Sequence, residues 1–234
     1  MGGLLRRLLP GDFLGDPFDA ARNVVLGAVL ETNIGGVRTA GLITEAEVYI
    51  GGSDKASHTY GYRRTERVMS QYEMGGHAYV FLVYGIHAQF CVVLGERDVP
   101  NVVLVRSVMP LWGTDEMLRR RGKVKLDAAL CAGPGNATKA LGVTTRLNGV
   151  DLCASDEIGL YVPAEPETGA GRDISSHAVM PCSDEALRAI LSARADEIVE
   201  APRVGIDYAE EYAAMKWRYY YRNNRFVSKK LRAQ

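Results

Sequence analysis

This sequence predicts an α+β protein: a single domain with a mainly antiparallel β-sheet surrounded by helices. Three observations predict it. Apolar runs at 78–84, 89–94 and 102–108 follow one another, rich in Val, Phe, Tyr and Leu and interrupted at Gly85 and over 95–100, as the central strands of one sheet are. Helical signatures lie on both sides of this block. No repeat, low-complexity linker or composition break divides the 234 residues. That length buries one sizeable core, so one domain over 1–234 is expected.

Taken in order, residues 1–15 are expected to form a short arm. The run from Met1 to Pro10 is interrupted by two arginines and stopped by proline, which suits neither a membrane span nor a signal peptide. Asp16-Pro17 has the N-cap and N1 chemistry of a helix start, followed by Ala20, Ala21 and Val24 and a stop near Gly27. Residues 28–31 and 37–49 read as two strands joined by the Asn33-Ile34-Gly35-Gly36 turn. The stretch 60–76 has no period and reads as a long surface loop. Short helices are expected at 114–121 and 136–141. Ser183 caps a stronger one, with Asp184 and Glu185 in its first turn and Leu187, Ile190, Leu191 and Ile198 on one face. Residues 216–222 alternate charged and aromatic side chains before Asn223-Asn224, as in a late hairpin, and 229–234 read as a flexible tail.

Composition narrows the function. With 47% hydrophobic and 24% charged residues the chain matches an ordinary soluble globular protein, and no apolar run reaches bilayer-spanning length, so no membrane partner is expected. Cys91, Cys131, Cys153 and Cys182 are far apart without C-x-x-C, and His58, His77, His87 and His177 form no i, i+4 pair. A reducing cytoplasm, with neither metal nor cofactor, fits that pattern. Net charge is zero, yet residues 216–234 hold seven basic side chains and no acidic one, and basic clusters sit at 63–67 and 119–125. One basic face is compatible with this, and so are merely solvated surfaces.

Two stretches carry candidate chemistry. The two-residue period of a strand puts Glu45, Glu47 and Tyr49 on one face. A solvent-facing strand explains these carboxylates without function; the alternative aims one into a cleft beside an aromatic ring, where it can take a proton from water. His58, shortly after, could return to the same cleft or be a satisfied structural residue. In the run 79–87, alternation places Tyr79, Phe81 and Val83 on one face, a pattern typical of core. The Tyr84-Gly85-Ile86 tip is harder to explain that way, because bulky groups flanking an exposed glycine can wedge between base steps.

Several segments, in order, resemble the alkyladenine, or 3-methyladenine, DNA glycosylase family. They are Glu45-Ala46-Glu47-Val48-Tyr49, Asp54-Lys55-Ala56-Ser57-His58, the loop 63–67, Tyr79 through His87, Ala132-Gly133-Pro134-Gly135, Arg203-Val204-Gly205-Ile206, and Trp217-Arg218-Tyr219-Tyr220 with Val227-Ser228. The resemblance implies a compact monomer with a curved antiparallel sheet that acts on damaged purines in double-stranded DNA through the minor groove. It needs no obligate protein partner and works in the cytoplasm at the nucleoid. By this similarity Tyr84 intercalates, helped by Ile86; Arg63, Thr65 and Arg67 contact DNA; Tyr49, His58, Phe81 and the Cys91 position form the base pocket. Glu47 activates water, with Arg106 near it.

The implied reaction is hydrolysis of an N-glycosidic bond to an abasic site, without strand cleavage, in base excision repair. The implied substrates are alkylated or deaminated purines: 3-methyladenine, with 7-methylguanine, hypoxanthine and ethenoadenine as further candidates. The chain departs from the family pattern near the pocket. Cys91 and Val68 stand for asparagines, Phe81 for a tyrosine and Asn136 for a lysine, and a smaller side chain at 91 relaxes discrimination among purines as a hypothesis. Two other readings remain open: a lesion-binding protein of the same fold without catalysis, and a hydrolase of free nucleosides.

Overall fold

In the structure, a computed structural model described over residues 3–164 and 179–231, ten strands form one sheet in which every strand pairing is antiparallel. The order runs β4 (Ala78–Val83), β5 (His87–Leu94), β6 (Asn101–Trp112), β3 (Val37–Tyr49), β2 (Val29–Ile34), β7 (Ile158–Pro163), β1 (Gly3–Arg7), β8 (Val179–Cys182). A further strand, β10 (Arg218–Tyr221), pairs with β3 on one side and β9 (Ile198–Ala201) on the other. The expected α+β class and strand block are therefore observed.

The placement of β10 matters most. β3 is 13 residues long; β2 pairs with its first half, up to Leu42, and β10 takes over along 45–47. β6 covers the opposite edge of β3 from Ala40 to Tyr49. Glu45 and Glu47 thus lie on the middle strand of three, and both are fully buried.

Alternation then sorts the sheet's side chains. Val80, Phe90, Val92, Val103, Val105, Ala46 and Val48 belong to the main hydrophobic core, whereas Tyr79, Cys91, Val93, Val102 and Leu104 form a second cluster on the other face with Tyr49 and Phe81 packed against it. The helix start expected at Asp16-Pro17 is present as the short α1 (Pro17–Asp19), where the Asp16 carboxylate accepts from the Phe18 and Asp19 amides. Helices close the core side. α2 (Thr114–Arg121) packs on α3 (Pro134–Leu141), and α3 lies on β5 and β6, where Thr138 donates 2.7 Å to the Ala88 carbonyl. α4 (Asp184–Arg194) starts as expected, with Ser183 accepting from the Ala186 amide at 3.1 Å.

Several expectations are corrected. The expected arm over 1–15 is not an arm over its described residues, 3–15: β1 is inserted between β7 and β8, and Leu5, Leu8 and Phe13 are fully buried, each contributing about 1.5–3 kcal/mol. Its arginines, which suggested exposure, are satisfied by partners on other elements. Arg6 pairs with Asp12 at 2.8 Å, and Arg7 donates to the carbonyls of Leu152, Ser155 and Ile158. Residues 229–231 are tied down rather than flexible, through the Lys229 carbonyl to Arg218 and the Leu231 amide to the Tyr220 hydroxyl; 232–234 lie outside the described residues.

Residues 216–222 form no hairpin around Asn223-Asn224, because β10 pairs with β9 and β3 instead. Ile198 belongs to β9, not to the apolar face of α4, and Leu191 on that helix is half exposed. The stretch 60–76 contains a 3-10 helix, Glu66–Tyr72, whose Val68, Gln71 and Tyr72 are buried.

Candidate active site

The pairing register explains the site's centre. Glu47 is opposite Leu104 and Glu45 opposite Ser107, but Ala46 is opposite Val105. Arg106 is left over as a β-bulge, which re-aims a side chain. Its guanidinium turns to both carboxylates: Nε donates to Glu45 Oε1 and Nη1 to Glu47 Oε2, each at 3.2 Å. From the other edge Arg218, opposite Glu47 in β10, donates to Glu45 Oε1 at 2.9 Å and lies 3.9 Å from Glu47 Oε1. Two buried anions thus face two buried cations, the arrangement that offsets the cost of taking charges out of water.

Further donors reach both carboxylates. Glu45 Oε2 accepts from Ser107 Oγ at 3.0 Å and from the Ser228 amide at 2.7 Å. Glu47 Oε1 accepts from the Val204 amide at 2.7 Å, and Oε2 from the Tyr49 hydroxyl at 3.0 Å. Protonation follows from these contacts. Burial pushes Glu47 above the ordinary carboxylate range, and Arg106, Val204 and Tyr49 offset only part of that. Burial also acts on Glu45, but Arg106, Ser228 and Arg218 together outweigh it and hold that group low. The Tyr49 hydroxyl is pushed up by burial and by Glu47, so it stays protonated and donates.

Beside this network lies a cavity of about 250 Å³. Cross-strand neighbours Tyr79, Cys91 and Leu104 build its base, in a row of one residue per strand that continues to Glu47 beneath it. Phe81 stacks on Tyr79 with centroids 5.0 Å apart at 22°. The His58 ring stands edge-on to Phe81 at 4.7 Å, and its Nδ1 is 2.8 Å from the Tyr79 hydroxyl. His58 is open to solvent on one side, but desolvation of its ring against the aromatics and the nearby Arg67 lower its pKa to about 4, so at neutral pH it is an uncharged donor and acceptor. The loop bearing His58 is anchored by Asp54, whose fully buried pair with Arg203 also ties down Val204. Arg203 further donates to the Val48 carbonyl at 2.9 Å and lies over the Tyr49 ring.

Of the residues singled out from sequence, Tyr49, His58, Phe81, Cys91 and Arg106 all line this cavity. Glu47 does not reach its surface; it lies one layer beneath, bonded to Arg106, Tyr49 and Val204, which all line the cavity. The solvent-facing reading of its strand is therefore wrong. Tyr84 and Ile86 sit at the β4–β5 hairpin tip, 92% and 75% exposed. Tyr84 and Gly85 both have positive φ, 52° and 71°, as a tight hairpin turn requires. Arg63, Thr65 and Arg67 line an adjoining outer groove of about 320 Å³ that shares His58 with the inner cavity.

Charge clusters prove unequal. In the 119–125 run, Arg119 and Arg120 pair with Glu116, Arg121 donates to the Ala129 and Leu130 carbonyls, and Lys123 pairs with Asp127. In the C-terminal run Arg218 is spent inside the molecule and Arg222 pairs with Glu197. Arg63, by contrast, has no ion pair among the described residues, and it stands at the mouth of the site.

The family model for methylpurine-DNA glycosylase matches residues 12–225. The chain belongs to the methylpurine-DNA glycosylase family. Relatives bear the same printed name, "Putative 3-methyladenine DNA glycosylase". One from Bacillus cytotoxicus is 38% identical over 94% of this chain and 98% of its own length. Another, from Chlamydia abortus, is 35% identical over 88% and 94%, and one from Clostridium perfringens is 38% identical over 88% and 91%. The departures from the family pattern now have places in this glycosylase fold. Cys91 and Phe81 are cavity wall, Val68 is buried in the second cluster, and Asn136 donates 2.8 Å to the Ala132 carbonyl at the start of α3.

Sequence reasoning missed Arg218, Ser228, the Asp54–Arg203 pair and the cavity role of Tyr79. The period-two aromatics were a usable signal for Tyr79. Nothing local marks Arg218 or Ser228, which reach Glu45 across more than 170 residues of chain.

Proposed function

We propose that the protein is a monofunctional DNA glycosylase that extrudes a damaged purine from duplex DNA and hydrolyses its N-glycosidic bond. The supporting observation is the sealed carboxylate Glu47 directly beneath an aromatic-walled cavity large enough for a single base. A purine entering it stacks against the Phe81 and Tyr49 walls, and neutral His58 hydrogen-bonds its edge. Tyr84, with Ile86, fills the gap left in the helix. Arg63, Thr65 and Arg67 hold the flanking phosphodiesters.

The C1′–N bond breaks with its electron pair leaving on the base, and positive charge develops on the sugar, which the Glu47 carboxylate stabilises. Water adds to C1′ and gives its proton to Glu47. Because Glu47 now accepts from three donors, the arriving water displaces one of them, a tightening that substrate binding supplies. An N-alkylated purine such as 3-methyladenine is already cationic and departs neutral; 7-methylguanine, hypoxanthine and ethenoadenine are the further substrates to compare.

The test uses duplexes that each carry one defined modified base, followed by alkaline cleavage of abasic sites. The reading expects alkali-dependent strand breaks at the modified base and none without alkali. Release of base from free nucleosides but not from duplexes contradicts it.

A further inference from the structure

Glu45 has no part in the reaction just described, yet it is as deeply buried as Glu47 and far better held. Four donors reach it from three separate elements: Arg106 and Ser107 of β6, Arg218 of β10, and the Ser228 amide of the C-terminal segment. It does not touch the cavity. What it touches is Arg106, which does.

A guanidinium is a planar fork that prefers to grip one carboxylate with two parallel bonds. Arg106 does not do so here. It is divided between partners, with Nε on Glu45, Nη1 on a single oxygen of Glu47, and Nη2 at 3.4 Å from Ser228 Oγ. We infer that Glu45 is a positioning residue: with Arg218 and Ser228 it keeps Arg106 from a two-pronged grip on Glu47, so that Glu47 retains an oxygen able to accept a proton from water. This rests on Glu47 acting as the base.

The charged and titratable groups facing Glu47 are few. They are Arg106 from β6, Arg218 from β10, Tyr49 and Glu45 from β3 itself, Cys91 from β5, and the Val204 amide from the segment after β9, with Arg203 behind Tyr49. Glu45 is the other carboxylate in that set, and its charge opposes ionisation of Glu47. Glu45→Gln removes that charge and frees Arg106, and both changes favour the ionised, fully gripped form of Glu47. The acidic limb of the excision profile then moves to lower pH while the plateau rate falls.

The experiment is single-turnover excision of 3-methyladenine from duplex DNA as a function of pH, with lesion-duplex Kd measured alongside, for the full-length protein and for Glu45→Gln and Glu45→Asp. The expected result for Glu45→Gln is a plateau lowered on the order of 10²-fold, as small misplacements at a site produce. Its acidic limb is displaced downward and Kd is unchanged. Glu45→Asp, which keeps the charge, restores the limb. If Glu45→Gln does not fold, Glu45→Gln/Arg218→Gln, which removes one charge of each sign, is read in its place for the plateau and Kd alone, because Arg218 also lies 3.9 Å from Glu47 and its loss opposes the displacement of the limb.

A wild-type plateau and limb overturns the inference. So does a loss that tracks the unfolded fraction with the limb unmoved, because that assigns Glu45 only to holding the fold. Glu47→Gln is run in parallel, and its retaining turnover would instead remove the reading of Glu47 on which the inference rests.

Discussion

At the scale of single residues, the site is defined by which charges are buried and with whom. If Glu47 takes the proton, excision must fall with decreasing pH as that group is protonated, and burial places the midpoint above the ordinary glutamate value. A single-turnover pH profile checks this, and a midpoint below that value speaks against it. Cys91 is a second test, because its buried side chain lines the cavity at the position where the resemblance implies an asparagine. Cys91→Asn should lower excision of 7-methylguanine relative to 3-methyladenine. Competition between the two lesions in one reaction measures the ratio, and an unchanged ratio removes Cys91 from substrate discrimination. Much at this scale was legible in sequence, since period two put Glu45, Glu47 and Tyr49 on one face. Whether that face met solvent was not, because the answer depends on Arg106, Arg218 and Ser228, brought in from distant strands.

Among the elements, the β4–β5 hairpin and the Asp54 loop matter most to the proposed function. Tyr84 at the hairpin tip is almost fully exposed, so Tyr84→Ala should leave thermal stability within about 0.5 kcal/mol. It should still weaken binding to lesion duplexes, by roughly 5- to 150-fold if stacking is worth about 1–3 kcal/mol. Thermal unfolding and fluorescence anisotropy check the two halves separately. The Asp54–Arg203 pair is the opposite case, sealed and structural. Removing one partner of such a pair leaves an uncompensated charge, so Asp54→Asn should cost about 3–5 kcal/mol in denaturant unfolding. The strong elements were readable: α2, α4 and the runs that became β4, β5 and β6 all appear within a few residues of expectation. The short strands were not. β8 and β9 have four residues each, too few to show a period, and β1 was disguised by two arginines whose partners lie on other elements.

For the molecule as a whole, a net charge of zero conceals a segregation that only packing reveals. Arg119, Arg120 and Arg222 are spent on ion pairs away from the site and Arg64 on Asp98, whereas Arg63 and Arg67 at its mouth have no ion pair among the described residues. Lesion-duplex affinity should therefore fall with rising salt, and Arg63→Ala should flatten the slope of log Kobs against log salt by about 0.9 if one phosphate contact is lost. What the assembled molecule is held to do is break a glycosidic bond with a carboxylate sealed under a base-sized cavity. Glu47→Gln keeps the side chain's shape and removes its basicity. Single-turnover excision from a 3-methyladenine duplex should then drop by about 10²–10⁴-fold, with affinity for the same duplex retained. Excision at the wild-type rate by the folded variant would contradict the account.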